Sequence, residues 1–161
     1  MKLTKHFLLE EFTTSAGVII IPTNEQRYCL GVLCVNILEP IRAKFKNAIK
    51  INSGLRNNES YKKMISLGYK PSITSDHFAW CKENPTGTGA ADIVVENTNM
   101  KDVFDWSVKT LFSVTNQIIY YEDNGFIHIS NAFSKIFMMP RDQNNHILIN
   151  KGGVLYKPSE V

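Results

Sequence analysis

The chain has 161 residues, of which 43% are hydrophobic and 20% are charged, and its formal net charge is +3 at pH 7. This length and composition fit one globular domain with an ordinary core, and they exclude an intrinsically disordered chain. The positive charge is mild, and no run of Lys and Arg is interleaved with aromatic residues, so nucleic-acid binding has no support.

The first residues, M-K-L-T-K-H-F-L-L-E-E-F, contain neither a sustained apolar segment nor a small-residue cleavage site, and so do not resemble a secretory signal peptide. The longest apolar run, near residues 18–21, is far shorter than the roughly 18 residues that a membrane span needs. The three cysteines, Cys29, Cys34 and Cys81, form no disulfide framework, and we expect reduced thiols. The sequence predicts a monomer made in the cytoplasm, with no export signal and no membrane span.

The first long predicted element is a helix that begins after Thr23. This residue is a suitable N-cap, and Gln26 stands where a capping box requires its second member. Apolar residues then recur at helical spacing as far as Phe45. Pro40 lies inside this pattern and should kink or split the helix near Glu39.

The rest of the chain alternates between predicted strands and helices. The predicted strands are 48–53, 91–96, 117–121, 126–130, 135–139 and 154–156, and the further helices are 58–67 and 100–114. Gly54 allows the chain to turn sharply after the first strand, and Gly68 ends the predicted helix 58–67. Helices beside a small, mostly antiparallel sheet predict a single α+β domain over residues 1–161.

Two histidines and one aspartate are candidate metal ligands: His77, Asp92 and His128. Neutral imidazole offers a directed lone pair, and catalytic zinc usually keeps three protein ligands with one position left for water. Asp92 begins one predicted strand and His128 lies in another, so the sheet would hold both. Residue types alone leave unrelated surface or core roles open, and they suit iron or manganese as well as zinc.

The sequences around these residues form an ordered series of motifs. An opening phrase K-H-F-L-L-E-E-F-T-T-S-A is followed by N-I-L-E-P-I-R (36–42), S-G-L-R (53–56), S-x-H (75–77), G-A-A-D (89–92) and F-I-H-I-S (126–130). In number and order they resemble the phage-associated branch of the zinc D-alanyl-D-alanine carboxypeptidase family. That family belongs to a wider group that includes lysostaphin-type enzymes and the hedgehog signalling domain. The resemblance runs from about residue 5 to residue 130, and residues 131–161 form C-terminal strands and a tail.

The resemblance implies the fold of this group and a Zn²⁺ ion held by His77, Asp92 and His128. It implies that Arg56 contacts substrate, either by binding a carboxylate bidentately or by stabilising the oxyanion of the tetrahedral intermediate. Ser75 would contact substrate or support a ligand. From the residues alone, Arg56 can equally be a surface salt-bridge partner and Ser75 a turn residue. The implied activity is hydrolysis of peptidoglycan stem peptides, as carboxypeptidase or endopeptidase, by a phage lysin or virion component acting on the host wall.

The chain departs from the family pattern between the first two ligands. The family pattern S-x-H-x-x-G-x-A-x-D places them seven residues apart, whereas His77 and Asp92 are fifteen apart, so about eight residues are extra. The inserted residues, within 78–88, can form a lip of the cleft with Trp80 against substrate, or a neutral surface excursion. Cys81 offers a further alternative, a fourth thiolate ligand that would close the site.

A second departure concerns the general base. Many family members carry Glu or Asp three residues before the last histidine, where this chain has Gly125. We predict Glu122 as the proton shuttle and Asp123 as the second choice. The alternative is that E-D-N-G (122–125) is only a hairpin turn.

Two rival functions follow from these departures. The first is a catalytically silent metal-binding domain of the same fold that serves in wall binding or as a phage structural module. The second is a metal-free α+β binding module, which would require the three ligands to be scattered in space.

Overall fold

The computed structural model describes residues 1–79, 89–131 and 147–160, which fold as α helices packed on a mostly antiparallel sheet. The predicted α+β class is therefore confirmed. The α helices are α1 (Asn24–Leu33), α2 (Glu39–Phe45), α3 (Asn58–Ser66) and α4 (Met100–Leu111). The strands are β1 (Thr14–Ser15), β2 (Val18–Ile19), β3 (Ile49–Ser53), β4 (Ala90–Val95), β5 (Thr115–Tyr121), β6 (Phe126–Asn131), β7 (Ile147–Lys151) and β8 (Val154–Tyr156).

The main sheet has the strand order β3-β4-β6-β5-β7-β8, while β1 and β2 form a separate hairpin. Every neighbouring pair in the main sheet is antiparallel except β5 and β7, which run parallel. In the register of the central strands, His128 of β6 stands opposite Asp92 of β4 on one side and Ile119 of β5 on the other. The sheet itself therefore sets two of the predicted ligands side by side.

The long helical segment begins as predicted. Thr23 Oγ1 accepts a hydrogen bond from the Gln26 N–H, and Gln26 Oε1 accepts one from the Thr23 N–H, which completes the capping box. One turn of π-helix, Cys34–Leu38, separates α1 from α2. Pro40 lies in the first turn of α2, where its missing N–H costs least. The helix is thus interrupted near Glu39 by a widened turn.

The core lies between the helices and one face of the sheet. In β5, Ile118 and Tyr120 join the core, so the alternating side chains of Gln117, Ile119 and Tyr121 face the other way. The same alternation holds in β4 and β6. The core side chains include Leu33, Ile37, Ile41, Ile93, Phe104, Ile118, Ile127 and Ile129. The opposite face of the sheet is left to carry the polar side chains of the site.

The C-terminal part differs from the prediction in one strand. The strand β8 is confirmed, but β7 is not among the predicted strands. The predicted strand at 135–139 lies outside the described residues. The segment after α4, Phe112–Val114, is a 3-10 turn, so this helix ends at Leu111, before the predicted boundary. Among the described helices, none is long and apolar enough to span a bilayer.

Candidate metal centre

The three predicted ligands come together on the open face of the sheet. Asp92 Oδ1 lies 3.2 Å from His77 Nε2 and 3.0 Å from His128 Nδ1, and the two imidazole nitrogens are 3.1 Å apart. The side chains of His77 and His128 are 4% and 8% exposed, and that of Asp92 is 19% exposed. The metal-free alternative required these ligands to be scattered, and the described structure contradicts it.

The orientation of His77 is set by its neighbours. Ser75 caps the short 3-10 turn Asp76–Phe78, because its hydroxyl accepts a hydrogen bond from the His77 N–H at 3.4 Å. The His77 ring donates from Nδ1 to the carbonyl oxygen of Gly54, 2.6 Å away. A carbonyl only accepts, so in the neutral ring the proton sits on Nδ1 and the lone pair of Nε2 points into the cluster. Metal-binding histidines are usually oriented in this way.

Asp92 brings a negative charge to the same point. Burial by itself would raise the pKa of Asp92, but the adjacent imidazoles of His77 and His128 outweigh burial and hold that pKa far below its usual range. The carboxylate is therefore ionised at neutral pH. The imidazoles lower the pKa of Asp92 in this way only while positive charge or a proton on them faces its carboxylate. When His77 Nε2 carries only its lone pair, this nitrogen and the ionised oxygen 3.2 Å away are both electron-pair donors, and they repel each other unless a cation lies between them.

The spacing of the three donor atoms fits one metal ion. Two ligand atoms about 2.05 Å from a tetrahedral ion are about 3.3 Å apart, close to the separations of 3.0–3.2 Å found here. A proton on His128 Nδ1 would be shared between His77 Nε2 and Asp92 Oδ1 in a weak bifurcated hydrogen bond, whereas a metal ion accepts a lone pair from each of the three atoms. His77, Asp92 and His128 can therefore hold a metal ion. Their number matches a catalytic site that keeps a position open.

The cluster opens into a cavity of about 790 Å³, within the size range of ligand sites. One wall is the polar segment after α3, which includes Lys70, Ser72, Thr74 and Ser75. The floor is the sheet face described above, and its residues are Asp92, Gln117, Ile119, Tyr121, Phe126 and His128. The cavity is thus a cleft lined by both polar and apolar groups, with the three candidate ligands in its floor.

Arg56 brings a cation to this cleft. It is only 6% exposed, and its Nε has no hydrogen-bond partner among the described residues. Its backbone N–H donates to the carbonyl oxygen of His77 at 2.8 Å, which ties the S-G-L-R turn to the metal cluster. Burial lowers the pKa of Arg56, and the opposing field of Asp92 is the largest influence that raises it. A buried guanidinium with an N–H to spare favours an anionic ligand.

Glu122 and Asp123 are placed differently from the other candidates. Glu122 Oε2 pairs with Lys151 Nζ at 3.2 Å, and Asp123 Oδ2 accepts a hydrogen bond from the Gly152 N–H at 2.5 Å. Neither residue lines the cavity. Residues Glu122–Asn124 form a 3-10 turn that ends at Gly125 with a φ of +65°, which is the geometry that the turn interpretation requires. A catalytic role for either carboxylate remains a prediction.

Two candidates lie outside the described residues. These are Trp80, predicted to contact substrate, and Cys81, the alternative fourth ligand. Both roles remain predictions, and the described part of the cluster has three ligands.

Sequence reasoning missed two residues of the site. Asp76 is buried, and its Oδ2 accepts hydrogen bonds from Asn116 Nδ2 at 2.5 Å and Ser130 Oγ at 2.6 Å. It thereby fastens the turn that carries His77 to the two central strands. Tyr121 lines the cavity beside the cluster, and the alternation of β5 was the signal that could have found it.

Comparison of the chain with models of protein families, with curated proteins and with solved structures found no match in any of the three. The family resemblance therefore rests on the sequence motifs alone. The function has to be argued from the motifs together with the geometry of the site.

Proposed function

We propose that this protein is a zinc-dependent peptidase that hydrolyses peptidoglycan stem peptides. The observation that carries the proposal is the meeting of His77 Nε2, Asp92 Oδ1 and His128 Nδ1 within 3.2 Å of one another in the floor of a cavity. The three residues stand in the S-x-H, A-A-D and I-H-I-S motifs, which resemble the zinc D-alanyl-D-alanine carboxypeptidase family. The fold we propose is the one shared by that family and the hedgehog domain.

Three residues that line the cavity have a proposed task in this reaction: His77, Arg56 and Ser75. When bound, a zinc ion supplies Lewis-acid polarisation of the scissile carbonyl and lowers the pKa of a water molecule. The Nδ1–H bond from His77 to Gly54 fixes the ring that presents a lone pair to the ion. Arg56 offers N–H groups to a substrate oxygen that carries or develops negative charge. Ser75 holds the His77 turn, and its place in the cavity wall also suits a substrate contact.

The setting of the activity follows from the same resemblance. We propose that the protein is encoded by a phage and acts on the host cell wall, either as a lysin or as part of the virion. The cavity has the buried guanidinium of Arg56 among its described lining residues, which suits a peptide that carries carboxylates, as stem peptides do.

One observation favours a second candidate, a catalytically silent metal-binding domain. Glu122 pairs with Lys151 and does not line the cavity, and the family position of the base is Gly125. The carboxylates that do line it are Asp92, a predicted ligand, and Asp76, which already accepts two hydrogen bonds. Among the described residues, the cavity therefore has no carboxylate free to take a proton from water.

The test compares His128→Ala with His6→Ala. His6 is a matched control because its ring pairs with Glu39 at 2.7 Å, away from the cluster. Metal content is measured by mass spectrometry after zinc loading and gel filtration, and the proteins are then incubated with peptidoglycan whose released peptides and D-alanine are analysed.

We expect about one zinc per chain and release of products in the wild type and His6→Ala, and neither in His128→Ala. Zinc bound without release of any product establishes the silent domain instead. Absence of zinc from the wild type overturns the metal centre itself.

A further inference from the structure

We propose that the phenol of Tyr121 and the guanidinium of Arg56 form one subsite, which binds a negatively charged substrate oxygen beside the metal centre. The inference deepens the proposed peptidase function and rests on it. It assigns a hydrogen-bond donor that the sequence motifs do not identify.

The strand register places Tyr121 next to the metal cluster. Ile119 stands opposite His128, and Tyr121 follows two residues later on the same face of β5. Two residues of strand span about 7 Å, roughly the reach from one peptide group of an extended substrate to the next but one. Tyr121 therefore lines the same cavity as the cluster, two residues along β5 from the position opposite His128.

The ring of Tyr121 is held in place. It stacks on Phe126, its partner across β5 and β6, with ring centroids 4.4 Å apart and an interplanar angle of 14°. This packing uses one face of the ring, and Tyr121 is at the same time one of the residues that line the cavity. A phenol held by stacking loses little further freedom when it binds a ligand.

The electrostatic surroundings make Tyr121 a donor at neutral pH. Burial raises the pKa of Tyr121, the charge of Asp92 raises it further, and Arg56 acts in the opposite direction. Burial lowers the pKa of Arg56, whereas Asp92, Tyr121 and Tyr61 raise it. Tyr121, Arg56 and Asp92 therefore lie within one another's fields, and the phenol keeps its proton to offer to an acceptor.

Together, Arg56 and Tyr121 favour a negatively charged hydrogen-bond acceptor. Arg56 supplies a full positive charge with an Nε–H that has no partner in the described part of the chain, and Tyr121 supplies a neutral O–H. Such a pair suits an oxygen that is already anionic or becomes so. Two oxygens of a stem peptide meet this requirement: the terminal carboxylate, and the carbonyl oxygen that develops charge during hydrolysis.

The test compares Tyr121→Phe with Tyr120→Phe. Both changes remove only a hydroxyl, and Tyr120 is a matched control because it faces the core, where its ring stacks on Phe104. Zinc content, kcat and KM are measured with a stem pentapeptide ending in D-alanyl-D-alanine and with the same peptide amidated at its C-terminus. Binding of a phosphinate dipeptide analogue, whose anionic oxygens imitate the reacting centre, is measured by calorimetry.

We expect Tyr121→Phe to keep about one zinc and to lose roughly 100-fold in catalytic efficiency, the usual effect of removing one oxyanion donor. If the oxygen bound is the reacting carbonyl, the loss is in kcat with both peptides. If it is the terminal carboxylate, the loss is in KM and only with the free acid.

Equal kinetics of the two variants, within about twofold, overturns the inference. A wild type that hydrolyses neither peptide refutes the proposed function, and the phosphinate then decides the subsite. If the phosphinate binds Tyr121→Phe more weakly than Tyr120→Phe, the subsite is supported. If it binds both variants equally, or binds neither, the subsite is overturned.

Discussion

Replacement of Gly54 by alanine should damage the metal centre although residue 54 contributes no ligand side chain. A Cβ at this position would lie 2.5 Å from Phe12 Cα and 2.6 Å from the Phe12 carbonyl oxygen. Both are backbone atoms and cannot rotate away. The Gly54 carbonyl in turn accepts the 2.6 Å hydrogen bond that orients His77. The glycine is thus required by the close approach of two backbone segments, and not by a positive φ.

The size of the effect follows from these distances. Raising the shortest separation from 2.5 Å to an acceptable 3.0 Å requires a shift of about 0.5 Å between the segment of Gly54 and that of Phe12. Metal–ligand distances tolerate only about 0.2 Å. We therefore expect zinc affinity to fall about 10- to 100-fold, as when the support of a ligand is lost. Overpacking should also lower the free energy of unfolding by about 1–3 kcal/mol.

The assay uses Gly31→Ala as the control. Gly31 lies in α1, and a Cβ there would meet nothing within 4 Å. The same chemical change should stabilise this helix by about 0.5–1 kcal/mol and leave zinc binding unchanged. Zinc affinity is measured by competition with a chelator, and stability by denaturant unfolding of the metal-free proteins, so that metal binding does not contribute to the second measurement.

The reasoning is refuted if Gly54→Ala binds zinc within about twofold of the wild type and unfolds at the same denaturant concentration. In that case the contact with Phe12 relaxes without moving His77. A loss of stability with unchanged zinc affinity would confirm the clash between residue 54 and Phe12. It would also show that the clash does not displace His77.

Two further predictions concern single side chains. Glu122→Gln should keep zinc binding and, if the wild type is active, at least half of its rate of hydrolysis. The reason is that Glu122 pairs with an exposed lysine and does not line the cavity. A loss of hydrolysis with zinc retained would show that this carboxylate reaches the site. Burial, with smaller effects of Glu11 and Glu39, raises the pKa of Cys34 to about 12, so its thiolate is scarce at pH 8. In a Cys29→Ser, Cys81→Ser background, where Cys34 is the one remaining thiol, a thiol reagent should therefore modify Cys34 only on unfolding, and labelling of the native protein would contradict this. The folded state holds the thiol proton of Cys34 more tightly than the unfolded state does. The stability that this difference contributes is therefore fully present below a pH of about 8.5, and the free energy of unfolding falls as the pH rises from there toward 12.

The elements that the sequence predicts well are those with a local signal. The capping box of Thr23 and Gln26, the helical spacing after it and the β-branched runs of β4 and β6 each act within a few residues. The strand β7 depends on a partner instead. Its residues pair in parallel with β5, which lies more than twenty residues earlier, and nothing in their own spacing indicates that pairing.

The cluster of candidate metal ligands was predictable for a different reason. His77, Asp92 and His128 stand in motifs whose residue types carry the chemistry, and the sheet register then brings Asp92 and His128 face to face. The supporting residues have no such signature. The role of Asp76 depends on its hydrogen bonds with Asn116 and Ser130, which are 40 and 54 residues away along the chain.

The long separation between His77 and Asp92 is compatible with a compact site because each end of the intervening segment is held independently. On one side, the turn of His77 is fixed by the Gly54 carbonyl and the Arg56 N–H, and the Phe78 carbonyl accepts from Gln26 Nε2 at 3.2 Å. On the other side, the Gly89 carbonyl accepts from the Asn131 N–H at 3.0 Å, and a Cβ on Gly89 would lie 2.4 Å from the Cys29 carbonyl oxygen. The segment between His77 and Asp92 therefore joins two fixed points, and since the entropic cost of closure grows only slowly with length, its fifteen-residue separation need not disturb the candidate ligands.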